Sequence, residues 1–262
     1  MDGQRSGTLS ATERWLLALP LAGGLFFGLF PFLLPVQFAT TFGYTGNDPF
    51  VARLAGAATS GYALALWMGI RDGRWAPLRA IVVATLTFNL ISLLACTIEM
   101  AADRATPVVY LIFFTDIAIN LICWTILVRH GATPQGPRDV AQWVVILTVL
   151  GAIAAATFGL TPQFPKISGP LTGYHGTDEF LYREAGAATA GYALMGIWEL
   201  RSGRWEEMRL AHAMGLVFNG FAFIACLTEI VTGAITIGVA LIAPASAAFT
   251  LGIGVAIARK GR

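Results

Sequence analysis

Eight runs of about twenty mostly apolar residues leave this chain little choice of fold. They lie near 15–34, 49–70, 78–100, 107–128, 140–160, 179–200, 208–230 and 233–258. A hydrocarbon core about 30 Å thick takes about 20 such residues per helix. The runs are too long for buried strands and do not alternate with period two, which excludes a transmembrane barrel. Composition agrees. Of the 262 residues, 56% are hydrophobic and 12% charged, against about 25% charged in a soluble domain. A water-soluble enzyme and a disordered chain are both excluded on that count. Net charge +2 gives no electrostatic footprint for nucleic acid. The expected fold is an all-α integral membrane protein with eight transmembrane helices, and its expected surroundings are the lipid bilayer.

Shifted by 130 residues, the sequence matches itself. Residues 43–75 read GYTGNDPFVARLAGAATSGYALALWMGIRDGRW and 173–205 read GYHGTDEFLYREAGAATAGYALMGIWELRSGRW, with 19 identities in 33 positions. The register continues to Phe88-Asn89 and Phe218-Asn219, to Cys96 and Cys226, and to Glu99 and Glu229. The reading is two tandem four-helix repeats, 1–130 and 131–262. Four helices per repeat is an even number, so both copies enter the membrane with one orientation, related by a pseudo-two-fold axis along the membrane normal. Thirteen of the 17 basic residues fall on the side of the RxGRW turns and the termini, and four (Arg53, Arg104, Lys166 and Arg183) on the other. The positive-inside rule then places both termini in the cytoplasm. With Arg far outnumbering Lys and with abundant Ala and Gly, the expected location is a bacterial cell membrane.

The repeated motif divides into structural and chemical parts. Asp48 before Pro49, and Asp178 before Glu179, read as helix N-caps. Gly43, Gly46, Gly173 and Gly176 supply permissive turns ahead of them. Gly56/Ser60, Ala57/Gly61, Gly186/Ala190 and Ala187/Gly191 form small-residue faces four apart, which let helices approach closely in lipid. These faces make the second and sixth spans the expected central pair. Arg53 and Arg183 sit about one turn inside their helices, at the depth of Glu99 and Glu229. Ionisable groups at such depth are normally paired. The expected pairs are Arg53–Glu99 and Arg183–Glu229, one clamp within each copy; the alternative is an anion site on the two guanidiniums.

A second polar set lies deeper. Asn89 and Asn219 fall mid-span, as do Asp116 and Asn120, one helical turn apart. The second copy has Ser246 and Thr250 at the matching positions. A carboxylate near the bilayer centre is costly unless paired, hydrated or protonated. Asp116 is expected to face the interior beside Asn120 and one of the two central asparagines. It is either helix glue or a proton or cation site.

Other chemistry is sparse. Cys96, Cys123 and Cys226 are scattered in apolar runs, with no disulfide or zinc pattern. His130, His175 and His212 fall in loops or near helix ends. No metalloprotease, nucleophile-elbow or P-loop motif occurs, so no catalytic residue, metal or cofactor is expected and the chain is read as non-enzymatic. Two functions remain, with an intramembrane enzyme acting on lipid or quinone a less supported third, because no paired acid/base or metal set lies at one depth. One is a non-catalytic scaffold, accessory subunit or small-ligand binder with a partner membrane protein. The other is a secondary transporter or channel for a small solute, proton or ion, using Asp116 and the Arg/Glu sets. A water-accessible cavity reaching Asp116 would favour the transporter, and a dry, filled interior the scaffold.

Overall fold

The structure is a computed structural model that describes residues 7–44, 46, 48–131, 137–172, 174 and 176–262. Arg5, Gly173 and His175 lie outside the described residues, as do residues 132–136. Ten α-helices are described: α1 (Ala11–Leu33), α2 (Pro35–Phe42), α3 (Pro49–Asp72), α4 (Trp75–Ala101), α5 (Pro107–His130), α6 (Gln142–Leu160), α7 (Pro165–Thr172), α8 (Glu179–Ser202), α9 (Trp205–Thr232) and α10 (Ile237–Ala258). A single 3-10 turn, Thr161–Gln163, extends α6. Moved by 130 residues, the bounds of α2 and α3 fall on those of α7 and α8.

Local chemistry sets these ends. Asp48 accepts from the Phe50 N–H and caps α3, with Pro49 at the first helical position. Asp178 accepts from the Leu181 N–H and caps α8. Gly73 and Gly203 terminate the same two helices in the left-handed region, at φ 70° and 61°, a conformation that costs glycine nothing. The eight-residue helices α2 and α7 each start at a proline; a search for 20-residue spans passes over them.

Six helices are long and apolar enough to cross a membrane: α1, α4, α5, α6 with its 3-10 extension, α9 and α10. They mark the chain as a membrane protein. The expected spans over α3 and α8 are long enough, at 24 residues each, but less apolar. Arg53, Arg71 and Asp72 lie on α3; Glu179, Arg183, Glu184, Glu199 and Arg201 lie on α8. Burial explains the difference. Fourteen of the 24 residues in each are buried, against four of 19 in α6. Helices screened by protein need not be apolar all round, whereas Phe114, Ile153, Val231 and Leu251 on the surrounding helices are exposed, as lipid contact requires.

The packing interleaves the two halves of the sequence. α3 packs against α1, α8 and α9; α8 packs against α6, α3 and α4. α5 lies on α4 and α10 on α9. At the core, the Tyr62 hydroxyl donates to the Ala188 carbonyl (2.9 Å) and the Tyr192 hydroxyl to the Ala58 carbonyl (2.7 Å). Arg74–Glu206 and Asp72–Arg209 ion pairs join the two RxGRW turns at one end. α3 and α8 therefore run in the same direction, from a cap end at Asp48 and Asp178 to this turn end.

Candidate functional site

The cap end is laced by ion pairs, and they do not follow the expected pairing. Arg53 meets Glu229 at 3.2 Å, and Arg183 meets Glu99 at 2.7 Å. The clamps run between the halves rather than within them. The reason is the packing just described: the third long helix of each half lies on the second long helix of the other. Arg183 also bonds Glu179 at 2.8 Å, and Arg104 grips Glu99 at 2.9 and 3.0 Å. The Glu99 bonds hold the Arg104 guanidinium above its ordinary pKa. With both terminal nitrogens of Arg183 on carboxylates, that guanidinium has no open fork to offer an anion.

The deeper polar set does not form one cluster. Asp116 and Asn89 line one cavity, of about 90 Å³. Asn219 and Ser246 line another, of about 200 Å³. Asn120 and Thr250 line neither. Each half's α4–α5 or α9–α10 pair sits on its own flank of the central helices, which separates residues that the 130-residue register equates. Asn89 and Asn219 both turn their amides back to carbonyls one helical turn earlier, Thr85 at 2.7 Å and Gly215 at 2.8 Å. Among the described residues, the buried Asn120 amide has no partner for either polar atom, and Asp116 Oδ2 is likewise unsatisfied.

The smaller cavity contains a residue that the sequence reading passed over. Glu184 of α8 faces it, one position beyond the clamp residue Arg183. The Ser92 hydroxyl of α4 reaches both Glu184 carboxylate oxygens at 2.9 Å. Ser92 also neighbours Asp116, and the two carboxylates interact electrostatically. Three helices thus bring together two acids and one hydroxyl. A serine carries a single proton to donate, so it cannot satisfy both carboxylates. No Lys, Arg or His is among the described residues lining this cavity. Two carboxylates in low dielectric without a counter-charge carry a large cost that a shared proton or a bound cation removes. Chemically the site calls for one such positive partner.

The two cavities are built from matching positions. Thr59, Tyr62, Phe88 and Asn89 line the first, and Thr189, Tyr192, Phe218 and Asn219 the second. The acids have no counterpart: Asp116 matches Ser246, Glu184 matches Leu54, and Ser92 matches Ala222. Over the first cavity, Tyr44 stacks between Phe38 and Phe180, with ring centres 5.4 and 6.1 Å apart.

At the turn end lie two buried histidine–glutamate pairs, His130–Glu13 and His212–Glu199, each at 3.0 Å. Trp75 stacks on His130, and Trp205 meets His212 edge-on. Glu13 and Glu199 gave no sequence signal beyond being acids near helix ends. Compared with protein families, with curated proteins and with solved structures, the chain matches none.

Proposed function

We propose that this chain is a secondary transporter that moves protons or a small monovalent cation through the Asp116–Ser92–Glu184 site, coupled to a small solute. The observation that carries the reading is the one-sided placement of the acids. At the matching positions of the other cavity the fold accommodates Leu54, Ala222 and Ser246. Two carboxylates are therefore not a structural requirement of this helix arrangement, which speaks against helix glue. The cavity at Asp116 supports the reading over a filled scaffold, and water access to it is what the transporter requires. In this reading all eight long helices span the membrane, with α3 and α8 at the centre. The halves 1–130 and 131–262 are duplicates about a pseudo-two-fold axis along the membrane normal, and the termini face the cytoplasm of a bacterium. The reciprocal Tyr62 and Tyr192 bonds and the crossed clamps support that axis.

The test is flux in proteoliposomes under an imposed potential, read with a pH-sensitive dye and with sodium and potassium tracers. Wild type conducts one of these ions. Asp116→Asn and Glu184→Gln lose the flux while keeping the wild-type melting temperature. A wild type silent for all three ions, with both variants stable, returns the protein to the scaffold reading.

A further inference from the structure

The larger cavity has a shape and a polar end that the transport reading does not use. Along α8 its lining runs from Tyr182 to Glu199, about 25 Å of helix at 1.5 Å per residue. That is most of the hydrocarbon thickness of a bilayer. A cavity of about 200 Å³ drawn out over this length is narrow, so it suits a chain rather than a compact solute. Small residues make the space. Gly196 stands where the smaller cavity has Leu66, Gly215 where it has Thr85, and Ala222 where it has Ser92. Leu54 in place of Glu184 and Ser246 in place of Asp116 leave the walls uncharged between Asp48 at the cap end and the turn end.

The turn end of this cavity is different. His212, 5% exposed, and Glu199, 4% exposed, both line it. The His212 Nδ1 lies 3.0 Å from Glu199 Oε1 and 3.1 Å from the Met208 carbonyl. Both neighbours are acceptors, so Nδ1 carries the proton. Nε2, on the opposite edge of the ring, has no hydrogen-bond partner among the described residues. In the neutral ring it is an acceptor aligned by its carboxylate partner, at the turn end of an apolar slot. The other histidine pair, His130–Glu13, lines neither cavity.

We infer that the cavity between α6, α8, α9 and α10 binds a long apolar chain with a hydroxyl head, the hydroxyl donating to His212 Nε2 and the tail lying along α8 toward Tyr182. Isoprenoid quinols and polyprenols share this chemistry. The site stands apart from the Asp116 cavity, and binding there does not require that the protein transports anything.

The experiment uses the full chain in nanodiscs with two photoactivatable probes, a long-chain alcohol and the alkane of equal length. Labelled residues are mapped by mass spectrometry. Wild type is expected to take up the alcohol at least tenfold more than the alkane, with labels on α6, α8 and α10 facing the cavity. His212→Leu brings the alcohol down to the alkane level. His212→Gln, whose amide oxygen accepts, restores part of the difference. Ala245→Phe, which fills the slot without touching the histidine, removes both labels. A quinol and a polyprenol are then added as competitors, and the stronger one names the source of the head group. Equal labelling by alcohol and alkane in wild type overturns the proposal, as do labels confined to lipid-facing surfaces or competition by neither compound. The wild-type comparison stands even if His212→Leu fails to fold.

Discussion

Glu184 and Arg183 are adjacent on α8 and do opposite work. Arg183 turns to Glu99 and Glu179 at the cap end, and Glu184 turns to Ser92 and the cavity holding Asp116. Asp116 is visible in the sequence because it is a lone acid in mid-span. Glu184 is hidden because it lies near a helix start, beside an arginine that draws attention, and because the repeat offers Leu54 in its place. Which side of a helix meets which cavity depends on tertiary packing, and no spacing rule encodes it. The clamps show the same limit: their four members can be read from depth and repetition, but their partners follow from which helices touch. Energetics should separate the two clamps. Arg183 and Glu99 have side chains 8% and 6% exposed, Arg53 and Glu229 25% and 17%. Removing one partner of a buried pair costs about 3–5 kcal/mol. Glu99 keeps Arg104, so Arg183→Ala is expected near the lower end of that range. Arg53→Ala, at a partly exposed pair, should cost about 1 kcal/mol. Unfolding titrations in mixed micelles measure both, and a larger loss for Arg53→Ala would contradict this ranking. Ser92→Ala belongs to the same scale. The matching position on α9 is Ala222, and Ser92→Ala leaves no larger side chain to fit, so flux should fall while the melting temperature stays within a few degrees.

Among the elements, α3 and α8 decide how closely the halves meet. Their small-residue faces are plain in the sequence, and the reason for the small residues is specific. A Cβ on Gly61 would lie 2.2 Å from the Tyr192 hydroxyl and 2.7 Å from the Met214 carbonyl. A Cβ on Gly191 would lie 1.9 Å from the Tyr62 hydroxyl and 2.7 Å from the Ala84 carbonyl. Each glycine makes room both for the opposing tyrosine and for a neighbouring backbone. Overpacking of this kind costs about 1–3 kcal/mol, and here it would also break a tyrosine bond. Gly61→Ala and Gly191→Ala are expected to destabilise by that amount each. Tyr62→Phe, which removes one hydrogen bond and leaves the space intact, should cost only about 1 kcal/mol. Thermal unfolding of the three variants checks the order; alanine variants as stable as wild type would mean the helices lie farther apart. Long helices are legible from length and apolarity because both are summed over 20 or more residues. The short helices α2 and α7 are not, although Pro35, Pro165 and the left-handed Gly43 at φ 72° mark their ends.

For the whole molecule, the chain order and the spatial order differ. α9 lies on α3 and α4 on α8, so each half of the sequence lends its third long helix to the other. The match between residues 43–75 and 173–205 can be read from the sequence, but the exchange cannot: matching motifs would serve equally well if each half packed on itself. This arrangement has a consequence for assembly. Glu99 finds Arg183, and Glu229 finds Arg53, only when both halves are present. The same holds for the Tyr62–Ala188 and Tyr192–Ala58 bonds. A fragment ending after His130 would expose the face of α4 that α8 covers and leave Glu99 without its deepest partner. Stranded polar groups in a membrane carry a large cost. Fragments 1–131 and 137–262 made separately are therefore expected to be degraded or to aggregate. Made together, they should co-purify as a one-to-one complex, because each of these contacts joins residues that the two fragments contain. Size-exclusion chromatography and melting of the co-expressed pair measure this. If either fragment alone is monodisperse and melts cooperatively, the halves are self-sufficient bundles and the exchange of helices is not what holds the molecule together.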